Sequence, residues 1–265
     1  MDLAAAITPT RVDDRRFAFT VHPGWAQGRG AFGGIVLGAM VRAIEAVEPE
    51  RERRLRSLTG ELVGPTLVGD CELEVIELRR GNGVSSWHAR LTQQGSITAI
   101  ATAVLGKTRE IGDRTWTPTD REAVKPWTEV DAIPSPNPLA PEFSQHFEYR
   151  LTGPWPFSGA PQPVCSGWVR PRDAPPTLAA AEVVALADAW WPSVFSTERS
   201  PRPIATVAFT LQNLLGDRTL PGDRPLLHRA HAPAAGDGFF VEHRELWTAS
   251  GELVAMNQQT FAWIK

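Results

Sequence analysis

The sequence predicts an α+β protein made of two similar halves, each with one buried helix followed by four antiparallel strands. Three observations carry that prediction. First, the chain repeats itself. Gly251-Glu-Leu-Val-Ala-Met-Asn-Gln-Gln-Thr-Phe-Ala-Trp263 echoes Gly95-Ser-Ile-Thr-Ala-Ile-Ala-Thr-Ala-Val-Leu-Gly106, with Gly95 on Gly251, Ile97 on Leu253 and Ala99 on Ala255. Asn82-Gly83 before Val84–Arg90 is matched, at almost the same offset, by Asp237-Gly238 before Phe239–Trp247. A period of this kind sets the architecture before any single element does. Second, each half has one helical segment that is apolar on nearly every side, and such a helix is buried rather than laid on a surface. Third, the halves are separated by a proline-rich stretch without periodicity.

The elements follow in order. Phe17–Val21 reads as a short strand closed by His22-Pro-Gly-Trp25. The glycine-rich Gly28-Arg-Gly-Ala-Phe-Gly-Gly34 leads into a helix over Ile35–Val47, in which Gly38 costs about 1 kcal/mol against alanine and so points to close packing. Strands are expected at Leu55–Val63, Cys71–Arg80, Val84–Gln93 and Ile97–Leu105. Cys71, Leu73 and Val75 alternate with Glu72 and Glu74, and Ile76 breaks the alternation, which predicts a bulge or a change of face there. Asn82-Gly83 is a hairpin turn.

Lys107–Glu142 carries Pro118, Pro126, Pro134, Pro136, Pro138 and Pro141 and reads as an extended connector. Trp116 and Trp127 imply that it packs along the body. Strands at His146–Leu151 and Val164–Val169 precede a helix over Leu178–Trp191. Further strands are expected at Ile204–Gln212, Leu226–His231, Phe239–Trp247 and Leu253–Ile264. The expected organisation is residues 1–107, a linker over 108–142, and residues 143–265. Two such units can share one continuous curved sheet, each covering the other's edge.

The composition narrows the class. A 42% hydrophobic fraction supports a sizeable core, and a net charge of −3 without a basic stripe argues against nucleic acid. Two cysteines, Cys71 and Cys165, give no disulfide framework, so a reducing cytoplasm is expected. No apolar run approaches a membrane span and no export signal is evident, so a membrane partner is not expected. The six histidines show no metal-ligand spacing, and His228 and His231, three apart on a strand, fall on opposite faces. Gly28-Arg-Gly-Ala-Phe-Gly33 spells a dinucleotide fingerprint, but no βαβ pattern surrounds it. A serine nucleophile elbow is absent.

The layout, with Phe32-Gly-Gly-Ile-Val-Leu-Gly-Ala39, Gly81-Asn-Gly-Val-Ser-Ser86, Ala185-Leu-Ala-Asp188, Ile204-Ala-Thr206 and Val254-Ala-Met-Asn-Gln-Gln259, resembles the type II acyl-CoA thioesterases, which are fused double hotdog proteins. The resemblance covers most of the chain outside the linker. It implies an α+β double hotdog fold, hydrolysis of an acyl-CoA substrate in lipid metabolism, and a homo-oligomer such as a dimer. It implies no cofactor. It also implies three residues that hold the attacking water: an aspartate in the second central helix, a threonine on the next strand and a glutamine on the last. These positions match Asp188, Thr206 and Gln259. The chain departs from the family after Thr206, reading Val207-Ala-Phe-Thr-Leu-Gln-Asn213 where many members carry text such as Ile-Asp-His-Ser-Met-Trp.

The residues support the same site on their own chemistry. Asp188 sits among small and apolar neighbours near a helix C-terminus, where both burial and the helix dipole disfavour a carboxylate. A residue placed against both rules is a functional candidate; the alternative is a surface aspartate paired with an arginine such as Arg199. Thr206 is ordinary for a strand. Gln259 falls where the first copy has Ala103, so an amide, which donates and accepts at once, is gained in the second half only; the alternative is a solvated edge amide. Phe32, Gly33 and Gly34 open the first helix, where backbone N–H groups can meet a substrate oxyanion and glycine permits close approach; the alternative is a tight loop. Two other functions stay open: a non-catalytic acyl-thioester binder, favoured by the text after Thr206, and a hotdog hydratase or dehydratase, disfavoured because neither helix contains histidine.

Overall fold

The computed structural model describes residues 1–110, 112, 123–137 and 140–264. Trp116, Pro118 and Pro138 lie outside the described residues. The first half runs α1 (Leu3–Ala6), β1 (Thr10–Arg11), β2 (Arg16–Val21), β3 (Ala26–Gln27), β4 (Gly30–Ala31), α2 (Gly33–Val47), β5 (Arg54–Leu62), β6 (Gly69–Arg80), β7 (Val84–Gln93) and β8 (Ser96–Gly106). The second runs β9 (Phe147–Leu151), β10 (Val164–Pro171), β11 (Thr177–Leu178), α3 (Ala180–Asp188), β12 (Ile204–Asn213), β13 (Leu220–Pro221), β14 (Leu226–Gly236), β15 (Phe239–Thr248) and β16 (Leu253–Trp263). Twelve strands form one sheet in the order β1-β2-β6-β7-β8-β5-β12-β16-β15-β14-β10-β9. The order is the same read outward from the centre in either direction, as the repeat requires.

The halves join where β5 meets β12, antiparallel, from Ala208 opposite Glu61 to Gln212 opposite Ser57. Each half thus covers the strand edge that the other would leave open. Asn213 adds a tie, donating from Nδ2 to the Leu55 carbonyl at 3.0 Å.

The two helices lie together against the inner face. Gly34 and Gly38, one turn apart on α2, face the Ala185 and Ala181 carbonyls of α3: a methyl added at Gly34 would fall 2.8 Å from the first, and one at Gly38 would fall 3.2 Å from the second. Small residues one turn apart on both helices let the backbones touch, which is the close packing that Gly38 predicted. Away from that seam, the buried Glu182 pairs with Arg42 of α2 and also accepts the Ala179 N–H at 3.0 Å, closing the first turn of α3. The core spreads from both helices onto the strands, with Trp25, Trp87, Phe32, Phe147 and Phe209 all fully buried.

Two expectations change. The second helix ends at Asp188 rather than Trp191, because Pro192 blocks its continuation and two carbonyls, one in its last turn and one just past its end, are taken sideways. Tyr149 Oη donates to Ala189 O at 2.9 Å and Arg244 Nη1 to Ala187 O at 3.0 Å. The irregularity expected at Ile76 lies instead between Glu77 and Arg79. Asn82-Gly83 does turn the β6–β7 hairpin, yet neither residue has positive φ, whereas Asp237 and Gly238 do, at 53° and 82°. The linker packs as Trp127 implied: its ring stands 4.1 Å and 4.8 Å from the Arg150 and Arg170 guanidinium carbons. Among the described residues, no helix is long and apolar enough to cross a membrane.

Candidate active site

The repeat locates the polar cluster of the second half. In the first half, β7 and β8 place Trp87 opposite Ala103 and Ala89 opposite Ala101. The equivalent pairs of β15 and β16 are Glu242 opposite Gln259 and Arg244 opposite Asn257. Four positions that are apolar in one copy carry polar or charged side chains in the other. All four are buried, with Glu242 and Gln259 showing no exposure at all. Buried polar groups are costly unless paired, and these are paired with one another and with the end of α3.

Asp188, Thr206 and Gln259 come together as the sequence predicts. Gln259 Nε2 donates to Asp188 Oδ1 at 3.0 Å and to Asn257 Oδ1 at 3.0 Å. Thr206 Oγ1 donates to Gln259 Oε1 at 3.3 Å. A bulge between Thr206 and Ala208 explains how Thr206 reaches the site. Residues three apart normally face opposite sides of a sheet, but the extra residue shifts the alternation so that Thr206 and Phe209 both face inward. Thr206 stands opposite Phe261 and Phe209 opposite Gln259.

Asp188 is not paired with Arg199, the partner that a surface aspartate would have taken. Its neighbouring cation is Arg244, with Nη1 3.7 Å from Oδ1. Arg244 is held in turn by Glu242, Nε to Oε1 at 2.6 Å. The other Glu242 oxygen accepts both the N–H and the hydroxyl of Ser193, at 2.5 Å and 2.6 Å. Burial pushes the Asp188 carboxyl up to about 6, against the opposing pull of the Arg244 charge, the Gln259 amide and the Gly34 backbone N–H. A carboxylate with that value is ionised at neutral pH and still basic enough to accept a proton from water.

The start of α2 closes the site from the first half. A side chain on Gly33 would place its Cβ 2.9 Å from Asp188 Oδ2 and 2.8 Å from Leu62 Cδ1, so only glycine lets the helix N-terminus approach the carboxylate this closely. Gly34 brings its N–H to the same carboxylate. Phe32 stands just before them, but its ring turns into an aromatic stack, 4.0 Å from Phe143 and edge-on to Phe147 at 6.1 Å. Its side chain anchors the turn.

The sequence reading missed Glu242, Arg244 and Asn257. The offset that singled out Gln259 over Ala103 would also have found Asn257 over Ala101, and the hairpin offset places Glu242 over Trp87 and Arg244 over Ala89. His228 is buried and His231 exposed, on opposite faces as expected. Burial pushes His228 far below the ordinary histidine value, and its ring stacks on Trp190 at 5.7 Å. Among the described residues, no group of three His, Cys, Asp or Glu side chains is placed to hold a metal ion. A groove of about 1380 Å³ lies elsewhere, between the linker around residues 123–134 and Arg229, His231, His243 and Gln258. These side chains alternate with the buried ones of the same strands, so the groove is on the sheet face opposite Asp188.

Comparison with known proteins places this chain in a family. The description "Acyl-CoA thioesterase N-terminal domain" matches residues 21–106, and "Acyl-CoA thioesterase C-terminal domain" matches residues 121–262. The chain belongs to the acyl-CoA thioesterase family. Among solved structures, it is similar to a hot dog fold protein of unknown function from Alicyclobacillus acidocaldarius, at 26% identity and a TM-score of 0.88, covering 99% of this chain and 98% of that one. It is also similar in fold to the acyl-CoA thioesterase II TesB2 from Mycobacterium marinum, at 17% identity and a TM-score of 0.77, with 99% and 98% covered. A tesB protein from Mycobacterium avium subs paratuberculosis gives 18% identity and a TM-score of 0.80 over 99% and 98%. No curated protein matches the chain. As an acyl-CoA thioesterase family member, the chain has the double hotdog fold, with its polar cluster confined to the second copy.

Proposed function

We propose that the chain hydrolyses acyl-CoA thioesters to a free carboxylic acid and CoA. Asp188 is the general base. Thr206 and Gln259 position the water, and the Gly33 N–H that opens α2 receives the developing oxyanion, with the Gly34 N–H held on Asp188 and Phe32 fixing that turn. Asp188 Oδ1 is engaged by Gln259, while Oδ2 faces Gly33; Oδ2 therefore takes the proton. The hydroxide so formed attacks the thioester carbonyl, the tetrahedral intermediate collapses with cleavage of the C–S bond, and the proton on Asp188 passes to the departing thiolate. Early N–H groups of a helix have no partner within it, so they suit a transient negative oxygen. The observation that carries the proposal is the buried contact between Gln259 and Asp188, at the end of a helix where an unpaired carboxylate would be costly.

A second reading rests on the closure of that cluster. Both hydrogens of the Gln259 amide are committed, to Asp188 and to Asn257, and its oxygen accepts from Thr206. A non-catalytic acyl-thioester binder would have no need to open it. Release of free thiol from acetyl-, hexanoyl- and palmitoyl-CoA separates the two. Hydrolysis by the wild type that is lost in Asp188→Asn and Gln259→Ala supports the enzyme. Binding without thiol release supports the binder, and thiol release that survives both substitutions rejects the site.

A further inference from the structure

We propose that Arg244 is a positioning residue: fixed by Glu242, it turns Asp188 Oδ1 toward the sheet and leaves Oδ2 facing Gly33, as the oxygen that accepts the proton of the attacking water. This inference rests on the hydrolase reading above. Arg244 does more than neutralise a charge. Its Nη1 lies between the Ala187 carbonyl and Asp188 Oδ1, its Nε holds Glu242, and its guanidinium carbon is 5.5 Å from the centre of the Phe261 ring. Glu242 also binds Ser193, the residue that follows Trp190-Trp191-Pro192. One ion pair on β15 therefore grips both ends of the segment that leaves α3, with Asp188 at one end and Ser193 at the other.

The remaining groups around Asp188 leave that role to Arg244. From β16 come the neutral amides of Gln259 and Asn257. From α2 comes the Gly34 N–H, and from β9 the Tyr149 phenol, whose proton is held more tightly by burial and, after that, by the nearby Asp188 carboxylate. His228 on β14 and Cys165 on β10 both feel Arg244, but burial keeps them neutral. Arg244 is thus the cation that faces Asp188. In the first copy Ala89 occupies the equivalent position and Trp87 that of Glu242, so the fold itself needs neither charge there.

The test uses the full chain with the double substitution Arg244→Met/Glu242→Gln, which removes both members of the buried pair and avoids stranding one charge. Arg244→Lys and Asp188→Asn serve as companions. Thermal unfolding, KM and kcat for thiol release, and the pH–rate profile are measured for each. The double variant is expected to fold, to keep KM within about threefold, and to lose kcat on the order of 10- to 100-fold, as misplaced catalytic groups do. Its acid limb is expected to move up by at most about one pH unit, since a nearby cation lowers a carboxyl pKa by that order and the loss of the Glu242 charge, which acts the other way, offsets part of the shift. Arg244→Lys, which keeps the cation, is expected to hold the acid limb near its wild-type position. A folded double variant with wild-type kcat and acid limb, beside an inactive Asp188→Asn, overturns the role of Arg244 alone. An Asp188→Asn variant with wild-type turnover overturns both the hydrolase site and this inference.

Discussion

Gln259 Nε2 donates to Asp188 Oδ1 at 3.0 Å, across the boundary between the last strand and the end of the second helix. The contact joins an amide that stands where the first copy has Ala103 to a buried carboxylate at a helix C-terminus. With Asp188 titrating near 6, as burial dictates, thiol release is expected to be full above about pH 7 and to fall tenfold per pH unit below about pH 5. A pH–rate profile for kcat checks this. An acid limb near the ordinary aspartate value would mean that Asp188 is not the base.

The same burial has a consequence for stability. A carboxyl raised from 3.8 to about 6 stabilises the fold below the lower value and loses that contribution as pH rises through the higher one. At pH 8 the ionised form therefore costs about 3 kcal/mol relative to a neutral group in the same place. Asp188→Asn, which keeps an acceptor for Gln259, is expected to unfold at a higher temperature than wild type at pH 8, by on the order of 1–3 kcal/mol. The gain is expected to vanish below about pH 4. Equal melting temperatures at both pH values would show that Asp188 carries no such penalty.

Gly33→Ala is expected to impair the site from the first half. Its methyl would meet Asp188 Oδ2 at 2.9 Å and Leu62 Cδ1 at 2.8 Å, both closer than side chains tolerate. The expected cost is about 1–3 kcal/mol of stability, together with a loss of kcat larger than that of an equally destabilised variant elsewhere. Circular dichroism melts beside kinetics decide between the two contributions.

Glu48 supplies that remote comparison. It is buried at the end of α2, where it accepts from Ser85 Oγ at 2.5 Å, Trp87 Nε1 at 2.9 Å and Arg80 Nη1 at 2.6 Å. Although burial alone would raise its pKa, these hydrogen bonds together hold it down to about 2. Its stabilisation is therefore present above about 4.5 and lost as pH falls toward 2. Glu48→Gln is expected to destabilise by on the order of 2 kcal/mol at neutral pH, by less at pH 3, and to leave kcat of the folded protein unchanged. A marked fall in kcat would show that the two halves are coupled beyond the shared sheet.

Much of the fold was legible because repetition is visible in a single sequence. The two helices and the strands from Val84 to Gln93 and from Leu253 onward followed from burial patterns and from matched glycines. Gly95 and Gly251 both adopt positive φ, at 78° and 87°, at equivalent turns. Pro192 marks the neighbourhood of the end of α3 in the sequence, but its last turn was not legible. It depends on Tyr149 and Arg244, far away in sequence, taking carbonyls that a longer helix would have used itself. Asp188, Thr206 and Gln259 were found through a family resemblance, and Gln259 also through the difference between copies. Arg244 and Glu242 escaped notice because a strand reading Glu-His-Arg-Glu looks solvated. Only the β15–β16 register, Glu242 opposite Gln259 and Arg244 opposite Asn257, turns two of those charges inward.

On the proposed reading, Asp188 activates the water that cleaves the thioester. The most direct test is to titrate wild type and Asp188→Asn with a non-hydrolysable thioether analogue of one acyl-CoA by calorimetry and to measure single-turnover thiol release from that acyl-CoA at pH 8. Equal affinity within about threefold and a loss of the chemical step of at least about 100-fold are expected in the variant. Undiminished thiol release from a saturated Asp188→Asn complex would contradict that reading.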